Sequence, residues 1–113
     1  MGKLVYGHNN REYEFDDRVL AHLQIVFQSK LRHRDNFFFS WSRTNERGGG
    51  RVSLWIDSSI PLAFEYLGGR RPALNRAWLE VMMSSGATVG GLELLPEPAD
   101  AAPEVGSQKT TTA

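Results

Sequence analysis

The chain has 113 residues and a mass of 12.7 kDa, a length that fits one small domain. It contains no cysteine, which excludes disulfides, thiolate metal sites and cysteine nucleophiles. Thirteen basic and thirteen acidic residues give a formal net charge of zero, so no overall field attracts nucleic acid or an acidic membrane surface.

The amino-terminal third of the chain predicts a hairpin followed by a helix. Strands are expected over residues 3–6 and 11–15, because residues 7–10, Gly-His-Asn-Asn, tolerate the positive φ of a tight turn. A helix is expected over residues 17–32. Asp16 and Asp17 suit its amino terminus, and apolar side chains then recur at helical spacing at Leu20, Leu23, Phe27 and Leu31.

Residues 37–67 are the most aromatic part of the chain and alternate in character. Strands are expected over residues 37–43, 51–57 and 62–67, and we expect them to form one sheet. One face of this sheet is expected to be covered by helices, with Phe39, Trp41, Leu54 and Phe64. The opposite face is expected to carry Phe38, Ser40, Ser42, Ser53, Trp55, Asp57, Glu65 and Leu67.

A second helix is expected to begin at Pro72 and to end at Gly86. Its buried stripe is predicted to contain Leu74, Ala77, Trp78, Val81 and Met82. A short last strand is expected over residues 92–95, before Pro96 and Pro98. The composition of residues 99–113 predicts a disordered tail.

The predicted order is therefore β-β-α-β-β-β-α-β. Runs of adjacent strands favour antiparallel pairing, so we expect a two-layer α+β domain over residues 1–98, with a mainly antiparallel sheet and two helices on one face.

Phe38 and Trp55 stand out because they are large aromatic residues on the polar face of the predicted sheet. They could form a cross-strand pair, a contact between two copies of the chain, or a platform on which a base or sugar stacks. Asp57 and Glu65 are expected on the same face, where carboxylates could accept hydrogen bonds from a ligand.

Positive charge is concentrated beside these aromatic residues, since six basic and two acidic residues lie between Lys30 and Arg51. Arg43, Arg47 and Arg51 are candidates for phosphate contacts. The alternative is a solvated rim around a flexible glycine-rich turn.

The remaining polar residues suggest neither metal binding nor catalysis. His8, His22 and His33 lie in different predicted elements without metal-ligand spacing. No residue is assigned a catalytic role, no cofactor is implied, and no apolar run has the length of a signal peptide or a membrane helix. We therefore expect a cytoplasmic protein with no membrane partner.

Several segments together resemble a family of uncharacterised proteins of this size in high-GC Gram-positive bacteria. They include Asp16-Asp17-Arg18-Val19-Leu20-Ala21-His22-Leu23, Ser53-Leu54-Trp55-Ile56, Leu74-Asn75-Arg76-Ala77-Trp78-Leu79-Glu80 and Leu95-Pro96-Glu97-Pro98. Some members of that family carry the label ATP-dependent DNA ligase, and the resemblance thus implies a role beside DNA enzymes.

Ligase chemistry requires a lysine that accepts AMP, in a Lys-x-Asp-Gly setting. Lys3, Lys30 and Lys109 are followed by Leu-Val-Tyr, Leu-Arg-His and Thr-Thr-Thr, so none matches. The sequence thus favours a non-enzymatic binding or assembly module that forms homo-oligomers through the surface around Phe38 and Trp55. The alternative is an accessory protein that binds nucleic acid or nucleotide.

Overall fold

The computed structural model of the protein describes residues 1–43, 49–85 and 91–99. Its elements follow the expected α+β order: β1 (Gly2–Tyr6), β2 (Arg11–Phe15), α1 (Asp17–Arg32), β3 (Phe37–Arg43), β4 (Gly50–Ile56), β5 (Leu62–Glu65), α2 (Arg76–Ser85) and β6 (Leu92–Glu93). Of the tail predicted to start at Ala99, all but Ala99 itself lies outside the described residues.

The strands form two three-stranded sheets instead of the one sheet predicted across residues 37–67. The first sheet has the order β2-β1-β5 and is antiparallel throughout. The second has the order β4-β3-β6, in which β3 pairs antiparallel with β4 and parallel with β6. The prediction that β5 extends the sheet of β3 and β4 was therefore wrong.

The hydrophobic core lies between the two sheets and the helices, and Phe27 of α1 is at its centre. The Phe27 ring makes edge contacts with Phe37 and Phe39 of β3 and with Phe64 of β5, at centroid distances of 5.1 to 5.6 Å. Phe15 of β2 contacts Phe39 and Trp41. Aromatic rings from both sheets thus pack around one helix, which explains why neither sheet needs a separate core.

Helix α1 has the predicted bounds and ends in a Schellman motif. Arg34 takes a left-handed conformation with φ of 62°, and the N–H groups of Arg34 and Asp35 donate to the carbonyls of Leu31 and Lys30. Ile25 lies off the core, since this side chain is 37% exposed.

Helix α2 begins four residues later than predicted. Asn75 is its N-cap, because the Asn75 side-chain oxygen accepts a hydrogen bond from the Trp78 N–H at 3.3 Å. Trp78 and Met82 are buried as expected, but Leu74 and Val81 are exposed, so their predicted burial was wrong. Leu79, which is not among the residues of the predicted stripe, packs against the core.

Candidate functional site

The second sheet exposes one face to solvent, and we call it the outer face. Phe38 of β3 lies directly opposite Trp55 of β4, and the two rings meet edge to face with centroids 5.1 Å apart. Phe38 is 50% exposed and Trp55 is 41% exposed. The expected cross-strand pair is therefore formed, and no described part of the chain covers it.

Next to this aromatic pair the outer face carries a row of hydroxyl groups. Ser40 lies opposite Ser53, and their Oγ atoms are 2.7 Å apart. Glu93 of β6 is in register with Ser40 on the other side. The outer face thus combines two aromatic rings with hydrogen-bonding groups in adjacent rows.

The structure brings only part of the predicted cationic rim to this face. Arg51 is exposed and pairs with Ser42, so it lies on the outer face two rows from Trp55. The backbone of Arg43 pairs with Gly50, but its side chain lies outside the described residues, as does Arg47. Lys30 is buried, with its Nζ 5.5 Å from the centre of the Phe37 ring.

The two predicted carboxylates are separated. Asp57 directly follows β4, accepts a hydrogen bond from the Ser59 hydroxyl at 2.9 Å and closes the following turn through its carbonyl. Glu65 belongs to the first sheet, because β5 pairs with β1 and places Glu65 opposite Lys3. The prediction that Glu65 shares a face with Trp55 was therefore wrong.

Glu65 instead belongs to an acidic neighbourhood around Lys3. The Lys3 Nζ lies 3.2 Å from a carboxylate oxygen of Glu12, and Glu14 is opposite Lys3 on β2. The hydrogen bond to Glu12, together with the charges of Glu12, Glu65 and Glu14, raises the pKa of Lys3. This arrangement is an exposed ion-pair network, which contributes little to stability.

A groove of about 570 Å³ runs between the free edge of β4 and the hairpin of the first sheet. One wall is residues 51–55, and the other comes from the hairpin and its turn. The Tyr6 hydroxyl crosses the groove and donates a hydrogen bond of 2.6 Å to the Trp55 carbonyl. The outer face therefore adjoins a concave site that the sequence did not indicate.

A set of polar residues, two of them buried and two partly exposed, joins α1, the start of α2 and the last described segment, and the sequence did not indicate it. We call Arg18, His22, Asn75 and Glu97 the polar junction. His22 and Asn75 are completely buried. The His22 Nδ1 is 2.7 Å from the Arg18 carbonyl, and the Asn75 N–H donates to His22 Nε2 at 2.8 Å. Since a carbonyl can only accept, Nδ1 carries the proton and His22 is a neutral imidazole.

Asn75 uses its whole side chain in the polar junction. Its Nδ2 donates to Glu97 Oε2 and to the Pro98 carbonyl, both at 2.9 Å, while its Oδ1 caps α2. Arg18 forms a two-pronged ion pair with Glu97, at 3.0 Å from Nε and 2.6 Å from Nη2. These hydrogen bonds from Arg18 and Asn75 lower the pKa of Glu97 from 4.5 to about 2.

The polar junction is organised for structure. The polar atoms of His22 and Asn75 are satisfied within the chain, and the His22 ring packs on the Trp78 ring with centroids 4.5 Å apart. Across the three described ranges, no cluster of three or more histidines and acidic residues could hold a metal ion. In those same ranges, no helix has the length and apolar character to span a membrane.

Comparison with protein families assigns the chain to a family. A family model described as a domain of unknown function, DUF7882, matches residues 1–97, so the chain belongs to this uncharacterised family. Comparison with curated proteins finds no match, and comparison with solved structures finds none.

Proposed function

We propose that the protein is a cytoplasmic, non-enzymatic binding module that associates with a second copy of itself through the outer face. The observation that supports this proposal is the pair of Phe38 and Trp55, held opposite each other on adjacent strands and about half exposed. Aromatic residues of this kind dominate the binding energy of many protein interfaces.

The geometry of the outer face suits a two-fold contact. Both aromatic residues stand on regular β-strands, so little conformational entropy is lost when they are covered. The exposed Ser53 beside them, whose hydroxyl pairs with that of the buried Ser40, provides a hydrogen-bonding group for a polar rim. A two-fold axis through this face would bring the same patch of each copy together.

Sedimentation equilibrium at tens of micromolar protein tests the self-association. We expect a dimer for the wild type and a monomer for Trp55→Ser and for Phe38→Ser. Leu67→Ser is the matched control, because Leu67 is 76% exposed and lies away from the outer face. A wild type that is monomeric at these concentrations, or a Leu67→Ser effect as large as that of Trp55→Ser, would contradict the proposal.

A second candidate function is the binding of single-stranded nucleic acid beside DNA enzymes. Arg51 and Trp55 lie on the outer face, where a base could stack on Trp55 and a phosphate could meet the guanidinium group. Affinity for oligothymidylate should then fall steeply as salt rises, and Arg51→Gln should reduce that salt dependence. Binding that is insensitive to salt, or no binding at low salt, would rule this function out.

The ligase label carried by some similar proteins can be tested directly on this chain. Incubation with radiolabelled ATP and magnesium should leave no covalent adenylate on the protein, because none of its lysines has a Lys-x-Asp-Gly setting. A labelled lysine would overturn the non-enzymatic proposal.

A further inference from the structure

The free edge of β4 presents backbone groups in a defined direction. The Ser40 carbonyl accepts a hydrogen bond from the Leu94 N–H at 3.0 Å and therefore points away from β4. Ser40 and Ser53 are consequently a pair that exchanges no backbone hydrogen bonds, and the N–H and carbonyl of Ser53 point outward. A second observation supports this direction, because the Trp55 carbonyl accepts a hydrogen bond from the Tyr6 hydroxyl and therefore also points outward.

Along a strand, the backbone N–H and carbonyl groups of successive residues point alternately to its two sides. The N–H and carbonyl of Arg51, Ser53 and Trp55 therefore all point outward, away from β3. Within the described ranges, the outward N–H and carbonyl of Arg51 and Ser53 have no hydrogen-bond partner, and of Trp55 only the carbonyl is used. The three residues span about 13 Å at the usual rise per residue. The N–H and carbonyl groups of Arg51 and Ser53 and the N–H of Trp55 form a row of alternating donors and acceptors that matches another extended strand.

The charges of the groove favour an acidic strand. Arg11 and Arg51 line it together with His8, and none of the lining residues is acidic. Arg11 is exposed, and its guanidinium lies 5.8 Å from the centre of the Tyr13 ring on the opposite wall from β4. A carboxylate on a strand in this groove would meet an arginine on either side.

The hairpin that forms the second wall determines what can enter. Because the hairpin stands beside the free edge, an extended chain that pairs with β4 would lie between the two walls of the groove. Nucleic acid offers phosphate acceptors but no regular donors for the Arg51 and Ser53 carbonyls, whereas a polypeptide offers both.

We propose that the free edge of β4 binds an extended acidic peptide by strand addition, with its main chain on Arg51, Ser53 and Trp55 and its carboxylates between Arg11 and Arg51. This site uses the main chain of Trp55 and shares only Arg51 with the outer face, where self-association would use the Phe38 and Trp55 rings. Failure of self-association through the outer face would therefore leave strand addition intact.

The probe is the peptide acetyl-Val-Glu-Val-Glu-Val-amide, titrated into the labelled full chain and followed by ¹H–¹⁵N NMR. We expect the amide signals of Arg51, Ser53 and Trp55 to shift and their hydrogen exchange to slow at least tenfold. The amides of Val52 and Leu54 are an internal control, since they already donate toward β3.

Matched peptides separate backbone pairing from charge. The same peptide with lysine in place of glutamate should bind at least tenfold more weakly. Two further peptides are N-methylated at every second residue, one at the odd and one at the even positions. Only the peptide whose pairing N–H groups are methylated should lose binding. Equal binding of the lysine peptide, or of both N-methylated peptides, would overturn the proposal. So would millimolar acidic peptide that leaves the three amide signals unchanged.

Substitution at Ser53 provides the matching test on the protein. Ser53→Pro removes the outward N–H but no bond to β3, and proline is tolerated at such edge positions. Ser53→Ala loses the same hydroxyl and keeps the N–H. We expect Ser53→Pro to weaken peptide binding at least tenfold relative to Ser53→Ala, and equal affinity would contradict strand addition. If Ser53→Pro does not fold, the N-methylated peptides decide the question.

Oligothymidylate is the control for nucleic acid. If it shifts the amide signals of Arg51, Ser53 and Trp55 as strongly as the peptide does, the proposal of strand addition is overturned.

Discussion

The outer face and the polar junction use the same kinds of residues for opposite purposes. In the outer face, aromatic rings lie open to solvent beside a pair of hydroxyl groups, of which that of Ser53 belongs to an exposed residue and that of Ser40 to a buried one. In the polar junction, an imidazole and an amide are completely buried and every hydrogen-bonding group has a partner within the chain. The comparison separates groups that hold the domain together from groups that remain to be covered by something else.

This difference has an energetic basis. A buried polar group without a partner costs about 1 to 3 kcal/mol, so each member of the polar junction depends on the others. An exposed aromatic pair contributes much less to folding, since its rings keep part of their contact with water. We therefore expect changes in the polar junction to affect stability and changes in the outer face to affect binding.

The largest expected effect on stability is that of Asn75→Ala. It removes the cap of α2, which is worth about 1 kcal/mol, and leaves the Pro98 carbonyl without its donor, which costs about 1 to 3 kcal/mol more, while Glu97 keeps its hydrogen bonds from Arg18. Urea unfolding should show a total loss of about 2 to 4 kcal/mol. Asn75→Ser keeps a capping oxygen and should be about 1 kcal/mol less damaging. Equal losses would show that the cap is unimportant.

A smaller loss should appear in acid, because Glu97 remains in contact with solvent. Its folded-state pKa is lowered to about 2 from 4.5, so the stability that it contributes is fully present above pH 4.5 and is lost as the pH falls through about 2. Urea unfolding between pH 2 and 6 should show a steeper decline for the wild type than for Glu97→Gln. Parallel curves would mean that the carboxylate contributes no pH dependence.

The aromatic pair of the outer face should be coupled weakly in the monomer. A double-mutant cycle with Phe38→Ala and Trp55→Ala, at a protein concentration below self-association, should give a coupling energy of about 0.5 to 1 kcal/mol. A coupling energy above about 2 kcal/mol would mean that this pair stabilises the fold as the polar junction does, which would contradict the distinction between the two regions.

The smallest expected effect is that of Ser53→Ala on stability. The Ser53 hydroxyl pairs with that of Ser40, but Ser53 is exposed and water can replace its bond. Thermal or urea unfolding should show a loss of about 0.5 kcal/mol or less. A loss as large as that of Asn75→Ala would indicate that the hydroxyl row is part of the core.

Local patterns in the sequence predicted the elements well. The bounds of α1, β2 and β3 agree with the prediction, because the apolar period and the flanking turn residues lie within a few positions of one another. The exposure of Phe38 and Trp55 followed from strand alternation in the same way. Helix α2 was placed too early because Pro72 was taken as its start, whereas Asn75 supplies the cap.

Pairing between distant segments could not be predicted. Alternation identified residues 62–65 as a strand, but it contains no information about which strand lies beside them, and Glu65 was assigned to the wrong sheet for that reason. The polar junction was missed because its members belong to three separate segments. The available signal was an asparagine placed three residues before Trp78, which fits an N-cap.

The Arg18–Glu97 ion pair also has a consequence for folding during synthesis. Its partners are 79 residues apart in the sequence. Until Glu97 has been synthesised, Arg18 and Asn75 therefore lack one of their hydrogen-bond partners. The amino-terminal hairpin and α1 can form early through local contacts, but the seam between α1 and α2 closes only after Glu97 and Pro98 have emerged.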